Sequence, residues 1–91
     1  MLATRVYGNA VRLEIVAALR RGPGRRTDIV ERTALSNEAV TAQIRQLQAC
    51  GMLRGEMLSG RGRPVMYSLN HQLADELLAA LTEYASGKST T

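Results

Sequence analysis

The apolar period of this chain changes twice, and that change limits the folds open to it more than any single residue does. Up to Cys50 the apolar residues recur at helical spacing. Between Met52 and Leu69 they alternate around a glycine-rich loop, and from Asn70 the helical spacing returns. Periods of 3.6 and 2 belong to helix and strand respectively. The sequence therefore predicts several helices, one β-hairpin and a final helix. Its 91 residues are one domain's length, enough for one modest core. Aromatic residues make up 3% of it, all tyrosine, so that core has to be aliphatic.

Punctuating residues set the expected boundaries. Residues 1–8 show no clear period. Asn9 is of the type that caps helices, and a first helix is expected over 10–21, with Leu13, Val16 and Leu19 at helical spacing and Ile15 paired with Leu19. Gly22-Pro23-Gly24 stops it. Thr27 is expected to cap a short second helix over 28–33, where Asp28 suits the positive end of the helix dipole. Ser36 then caps a third helix from Asn37 to about Ala49, with Val40, Ile44 and Leu47 as its buried stripe. Gly51 is placed for a left-handed C-terminal cap. Strands are expected over 52–57 and Val65–Leu69, with Val65, Tyr67 and Leu69 on one face, and Pro64 fits the strand start. Asn70 caps a last helix from His71 to about Ala85. The expected domain is 1–86, with 87–91 a disordered polar tail.

Charge is divided along this plan. The net charge is +4 at pH 7, but residues 1–69 hold eleven basic against five acidic side chains, whereas 70–91 hold one against three. All the basic residues but Lys88 are arginine, the side chain that contacts phosphate and guanine in bidentate fashion. A polyanionic partner follows for the first part of the chain. On the third helix, Asn37, Thr41, Gln43, Arg45 and Gln46 lie off the apolar stripe. Asn and Gln pair with adenine, Arg with guanine or phosphate, and Thr with either a base or a phosphate. The helix start at Ser36 favours a phosphate. The loop Arg61-Gly62-Arg63-Pro64 has the sequence of an AT-hook core. Such arginines enter a narrow minor groove or contact phosphates, and the sequence leaves both open.

Three stretches carry a family resemblance: residues 27–36, then Val40 with Ile44-Arg45-Gln46-Leu47 and Cys50-Gly51-Met52-Leu53, and finally the hairpin end Gly60 to Leu69. Together with Val11 to Val16, they resemble winged helix-turn-helix transcriptional regulators of the ArsR-like superfamily, over roughly residues 9–69. The resemblance implies a mainly α fold with a small β-hairpin, in the order α-α-α-β-β-α. It also implies sequence-specific binding of double-stranded DNA, as a repressor. The third helix would read the major groove, and the wing at 60–64 would reach the minor groove or phosphates. Ala34 departs from the pattern, because similar proteins carry glycine at this turn, where a positive φ is cheap only for glycine. Two other readings remain at this stage: an architectural DNA-binding protein of the plasmid partition or excision type, and a winged-helix protein–protein interaction module.

The last helix carries two adjacent apolar rows, Leu73/Leu77/Leu81/Tyr84 and Ala74/Leu78/Ala85, wider than one small domain needs. A homodimer through this helix, joined by residues 1–12, is therefore expected. A lone Cys50 gives no disulfide framework and is expected as a small buried filler; His71 is expected at the surface. No metal site, cofactor, catalytic set or small-molecule ligand is expected. No apolar run is long enough to span a membrane, and Met1-Leu2-Ala3-Thr4 is not expected to open a signal peptide. The expectation is a prokaryotic cytoplasmic, nucleoid-associated protein.

Overall fold

The computed structural model describes residues 2–62 and 64–87. Its elements are α1 (Leu2–Tyr7), α2 (Ala10–Arg20), α3 (Arg26–Thr33), α4 (Asn37–Ala49), β1 (Leu53–Met57), β2 (Val65–Leu69) and α5 (His71–Ala85). The arrangement is mainly helical with one antiparallel hairpin, as expected, with an added helix at its start. Helix α1 shows no period because it has six residues, too few to form alone. It exists through packing: Ala3, Val6 and Tyr7 are buried, and the Tyr7 hydroxyl donates to the Ala74 carbonyl of α5 at 2.6 Å. Burial pushes the Tyr7 phenol above its ordinary pKa, with Arg20 opposing. Gly8 then turns the chain, because a Cβ there would stand 2.3 Å from the Thr4 carbonyl oxygen.

Four of the expected caps form. Asn9 Oδ1 accepts from the amides of Val11 and Arg12 at 2.9 and 3.2 Å, Ser36 Oγ from Ala39 at 3.1 Å, and Asn70 Oδ1 from Leu73 at 3.0 Å. Gly51, at φ +85°, completes a Schellman motif: Gly51 N–H donates to Gln48 O and Met52 N–H to Leu47 O. The expected Thr27 cap is not used. Helix α3 begins two residues earlier, at Arg26, because the Asp28 carboxylate reaches back to accept from the Arg25 amide at 2.8 Å. That bond holds the Asp28 carboxyl below the usual carboxylate range. The first strand starts at Leu53 rather than Met52, which leaves the strand ladder to donate to Leu47.

The core is aliphatic. Ile15, Leu19, Ile29, Val40, Leu47 and Met52 are fully buried, and among the described residues no polar or charged side chain is buried. Each such side chain contributes roughly 1.5–3 kcal/mol through apolar burial. Leu13, expected on the buried face of α2, is instead exposed; Ile15, Val16, Ala18 and Leu19 face the core. Cys50 is half-buried rather than enclosed. The turn from α3 to α4 holds Ala34 at φ +59°, the left-handed conformation its position demanded of glycine. The strands pair with Leu53 opposite Leu69 and Met57 opposite Val65. A third strand-like contact joins them, where Gly24 and Tyr67 exchange both backbone hydrogen bonds, at 3.0 and 2.8 Å.

Candidate nucleic-acid interface

Helix α4 is held on three sides, by α2, α3 and β1. Its buried stripe of Val40, Ile44 and Leu47 fixes which face points outward, since each residue turns 100° from the last. Glu38, Ala42, Arg45 and Ala49 lie opposite that stripe, and all four are exposed. Asn37, Thr41 and Gln48 flank them on the side of α3 and the hairpin; Ala39, Gln43 and Gln46 lie on the other flank. Ser36 is exposed, with its hydroxyl engaged as the helix cap.

The residues singled out from the sequence therefore separate. Arg45 points outward, and Asn37 and Thr41 are exposed on the adjoining flank toward α3 and the hairpin. Gln43 differs: it is half-buried, and its Oε1 accepts from Arg12 Nε at 2.6 Å, while Arg12 Nη1 donates to the Arg5 carbonyl at 2.9 Å. Gln43 thus ties α4 to α2 and, through Arg12, to the end of α1. Gln46 is exposed but borders a shallow cavity of about 240 Å³ shared with Leu2, Arg5 and Cys50, toward α1. Arg61 stands exposed at the hairpin tip between Gly60 and Gly62, whose φ values of +120° and +81° bend the chain sharply around it. Arg63 lies outside the described residues.

Two residues escaped the sequence reading. Arg25 and Arg26 begin α3, and Arg26 Nη1 reaches across to Thr41 Oγ1 of α4 at 3.3 Å. Thr41 Oγ1 itself donates to the Asn37 carbonyl at 2.8 Å. Cations are disfavoured at a helix N-terminus, so two successive arginines there call for an outside reason; placing the start of α3 two residues later in the sequence hid this signal. The hairpin approaches α4 closely because of Gly55, where a Cβ would stand 2.8 Å from Gln48 Nε2 and 3.3 Å from the Tyr67 ring.

At the opposite end, α5 buries only Ala74. Leu73, Leu77 and Leu81 are half-buried, and Tyr84 and Leu78 are 58% and 46% exposed. Arg20 pairs with Asp75 at 2.6 Å across to α2, an exposed bridge of small energetic weight. Among the described residues no group of three or more His, Cys, Asp or Glu side chains could hold a metal ion. None of the described helices is long and apolar enough to cross a membrane.

This architecture, a helix-turn-helix with a wing, is that of known transcriptional regulators. The diamide-treated form of the transcriptional regulator YodB from B. subtilis superposes with a TM-score of 0.77 at 18% identity, covering 92% of this chain and 87% of that one. The transcriptional repressor BigR from Xylella fastidiosa matches at 0.71 and 19% identity, over 87% of this chain and 78% of its own. An ArsR family transcriptional regulator matches at 0.68 and 17% identity, over 92% and 89%. At such identities the likeness establishes the winged helix-turn-helix fold. No protein-family model matches the chain, and no curated protein is significantly similar to it in sequence.

Proposed function

We propose that this protein is a transcriptional regulator that binds double-stranded DNA as a homodimer and acts as a repressor. The observation that carries the reading is the exposed outer face of α4, firmly seated on the core, with Arg26 and the base of the wing together along one flank and Arg61 exposed at the wing tip. An α-helix fits the major groove, and a basic loop beside it reaches the adjoining minor groove or its phosphates. Within this reading Asn37 and Arg45 face base edges, while Ser36, Thr41, Arg61 and Arg63 contact the backbone or minor groove. The repressor role draws on fold neighbours described as repressors, BigR and the antimony-specific AntR. Dimerisation draws on the exposed apolar side chains of α5.

Fluorescence anisotropy against labelled duplex DNA over a range of salt concentrations tests the reading. Binding that weakens steeply with salt is expected, with a log–log slope of about −0.9 for each phosphate neutralised. No binding at low salt would overturn it. Footprinting on the promoter of its own gene, with a reporter assay, then separates repression from a purely architectural role.

A further inference from the structure

Resting on that DNA-binding reading, we infer that the cleft between the start of α3, the flank of α4 and the base of the wing seats the sugar-phosphate strand separating the two grooves, with Arg26 as its principal phosphate contact. The cleft has a volume of about 410 Å³ and is lined by Arg25, Arg26, Thr27, Thr41, Val65 and Tyr67, with Pro64 at its edge. It runs on into a smaller hollow of about 180 Å³ beside Arg45 and Gln48. A helix in the major groove and a wing in the next minor groove straddle one backbone strand. That strand has to pass between them, and this cleft is the space the fold leaves there.

The chemistry of the lining fits a phosphodiester. Arg26 is exposed and, among the described residues, has no carboxylate partner; its one hydrogen bond is to the Thr41 hydroxyl. Arg25 stands 3.7 Å from Asp28, which is already engaged with the Arg25 amide. The Asp28 carboxylate in the first turn already offsets the positive end of the helix dipole and accepts from the Arg25 amide, so the two guanidinium groups supply the positive charge. The apolar side of the cleft, Val65 and the Tyr67 ring, suits a deoxyribose face. The Gly24–Tyr67 bridge holds the arginines against the wing, so the opening keeps its width.

The test compares charge at two places. Arg26→Ala, Arg26→Lys and Arg54→Ala are titrated with a labelled random-sequence duplex at several salt concentrations, after circular dichroism shows native helicity. Arg54 is exposed on β1, away from the cleft lining, and serves as the charge-matched control. Arg26→Ala is expected to lower the log–log salt slope by about 0.9, as for one lost phosphate contact, and Arg26→Lys to keep most of it. Arg54→Ala is expected to leave the slope unchanged. Equal losses for Arg26→Ala and Arg54→Ala would overturn the assignment in favour of diffuse attraction. An unchanged slope for Arg26→Ala would overturn it too, leaving DNA binding itself intact. Absence of binding by the unsubstituted protein would overturn both.

Discussion

Helices α4 and α5 are built alike and finished differently. Both are capped at the start by a side-chain oxygen, and both carry an apolar stripe at helical spacing. Helix α4 buries Val40, Ile44 and Leu47, because α2, α3 and β1 surround it. Helix α5 buries Ala74 alone, because α1 is its main neighbour and is six residues long. The stripe says that a helix needs cover; the number of neighbours decides whether it gets it within one chain. One end of the molecule therefore presents charge on a settled framework, and the other presents unburied leucine.

Changing one leucine in each helix probes this difference most strongly. Leu47→Ala should lower the unfolding free energy by about 2–5 kcal/mol at every protein concentration, read from urea denaturation. Leu78→Asp should leave the fold of the single chain nearly untouched yet remove self-association. Sedimentation of that variant should report the 9.9 kDa monomer, and DNA affinity should fall by at least about tenfold, or 1.4 kcal/mol. If Leu78→Asp sediments as the unsubstituted protein does, α5 is not the interface. At the turn before α4, Ala34→Gly should raise stability by about 1 kcal/mol, because it relieves a left-handed alanine; the melting temperature should rise by about 4–8 °C.

Smaller effects sharpen the picture of how α4 is held. A double-mutant cycle on Arg12→Ala and Gln43→Ala should give a coupling of roughly 0.5–1 kcal/mol in stability, as for contacting residues. Gln43→Ala should weaken binding to specific and random duplexes alike, whereas Arg45→Ala should change sequence preference. A Gln43 variant with altered preference would return that residue to the reading face. Smallest is the acid response of α3. The Asp28 carboxyl has a lowered pKa, so its contribution is present above the ordinary carboxylate range and is lost as pH falls through the lowered value. Asp28→Asn should therefore be less stable than the unsubstituted protein near neutrality, with the gap closing in acid.

Much of this plan was legible in the residues. Asn9, Ser36 and Asn70 marked helix starts because a short polar side chain satisfies free amides locally. Gly51 marked a helix end for a similarly local reason. What stayed hidden depends on distant partners. Helix α1 needs Ala74 for its Tyr7 hydroxyl, across 67 positions of sequence. Gln43 has the chemistry of a base reader, and only its bond to Arg12 shows it turned inward. Leu13 fitted the stripe of α2, but the core lies to the side of Ile15. Arg25 and Arg26 read as ordinary surface charge until the wing is folded beside them.

The paired hydrogen bonds between Gly24 and Tyr67 have a mechanical consequence. They tie β2, the inner strand of the wing, to the segment that leads into α3, so the wing base is joined to the helix pair α3–α4 in one frame. The tip, bent by Gly60 and Gly62 in positive-φ conformations, lies outside this bridge. A frame of this kind works as a fixed-gap gauge. On the DNA-binding reading proposed above, a duplex whose neighbouring grooves match the gap would be accepted as it stands, and one that does not would itself have to bend or compress to fit. Sequence-dependent stiffness of DNA would then be sensed at base pairs the protein never touches.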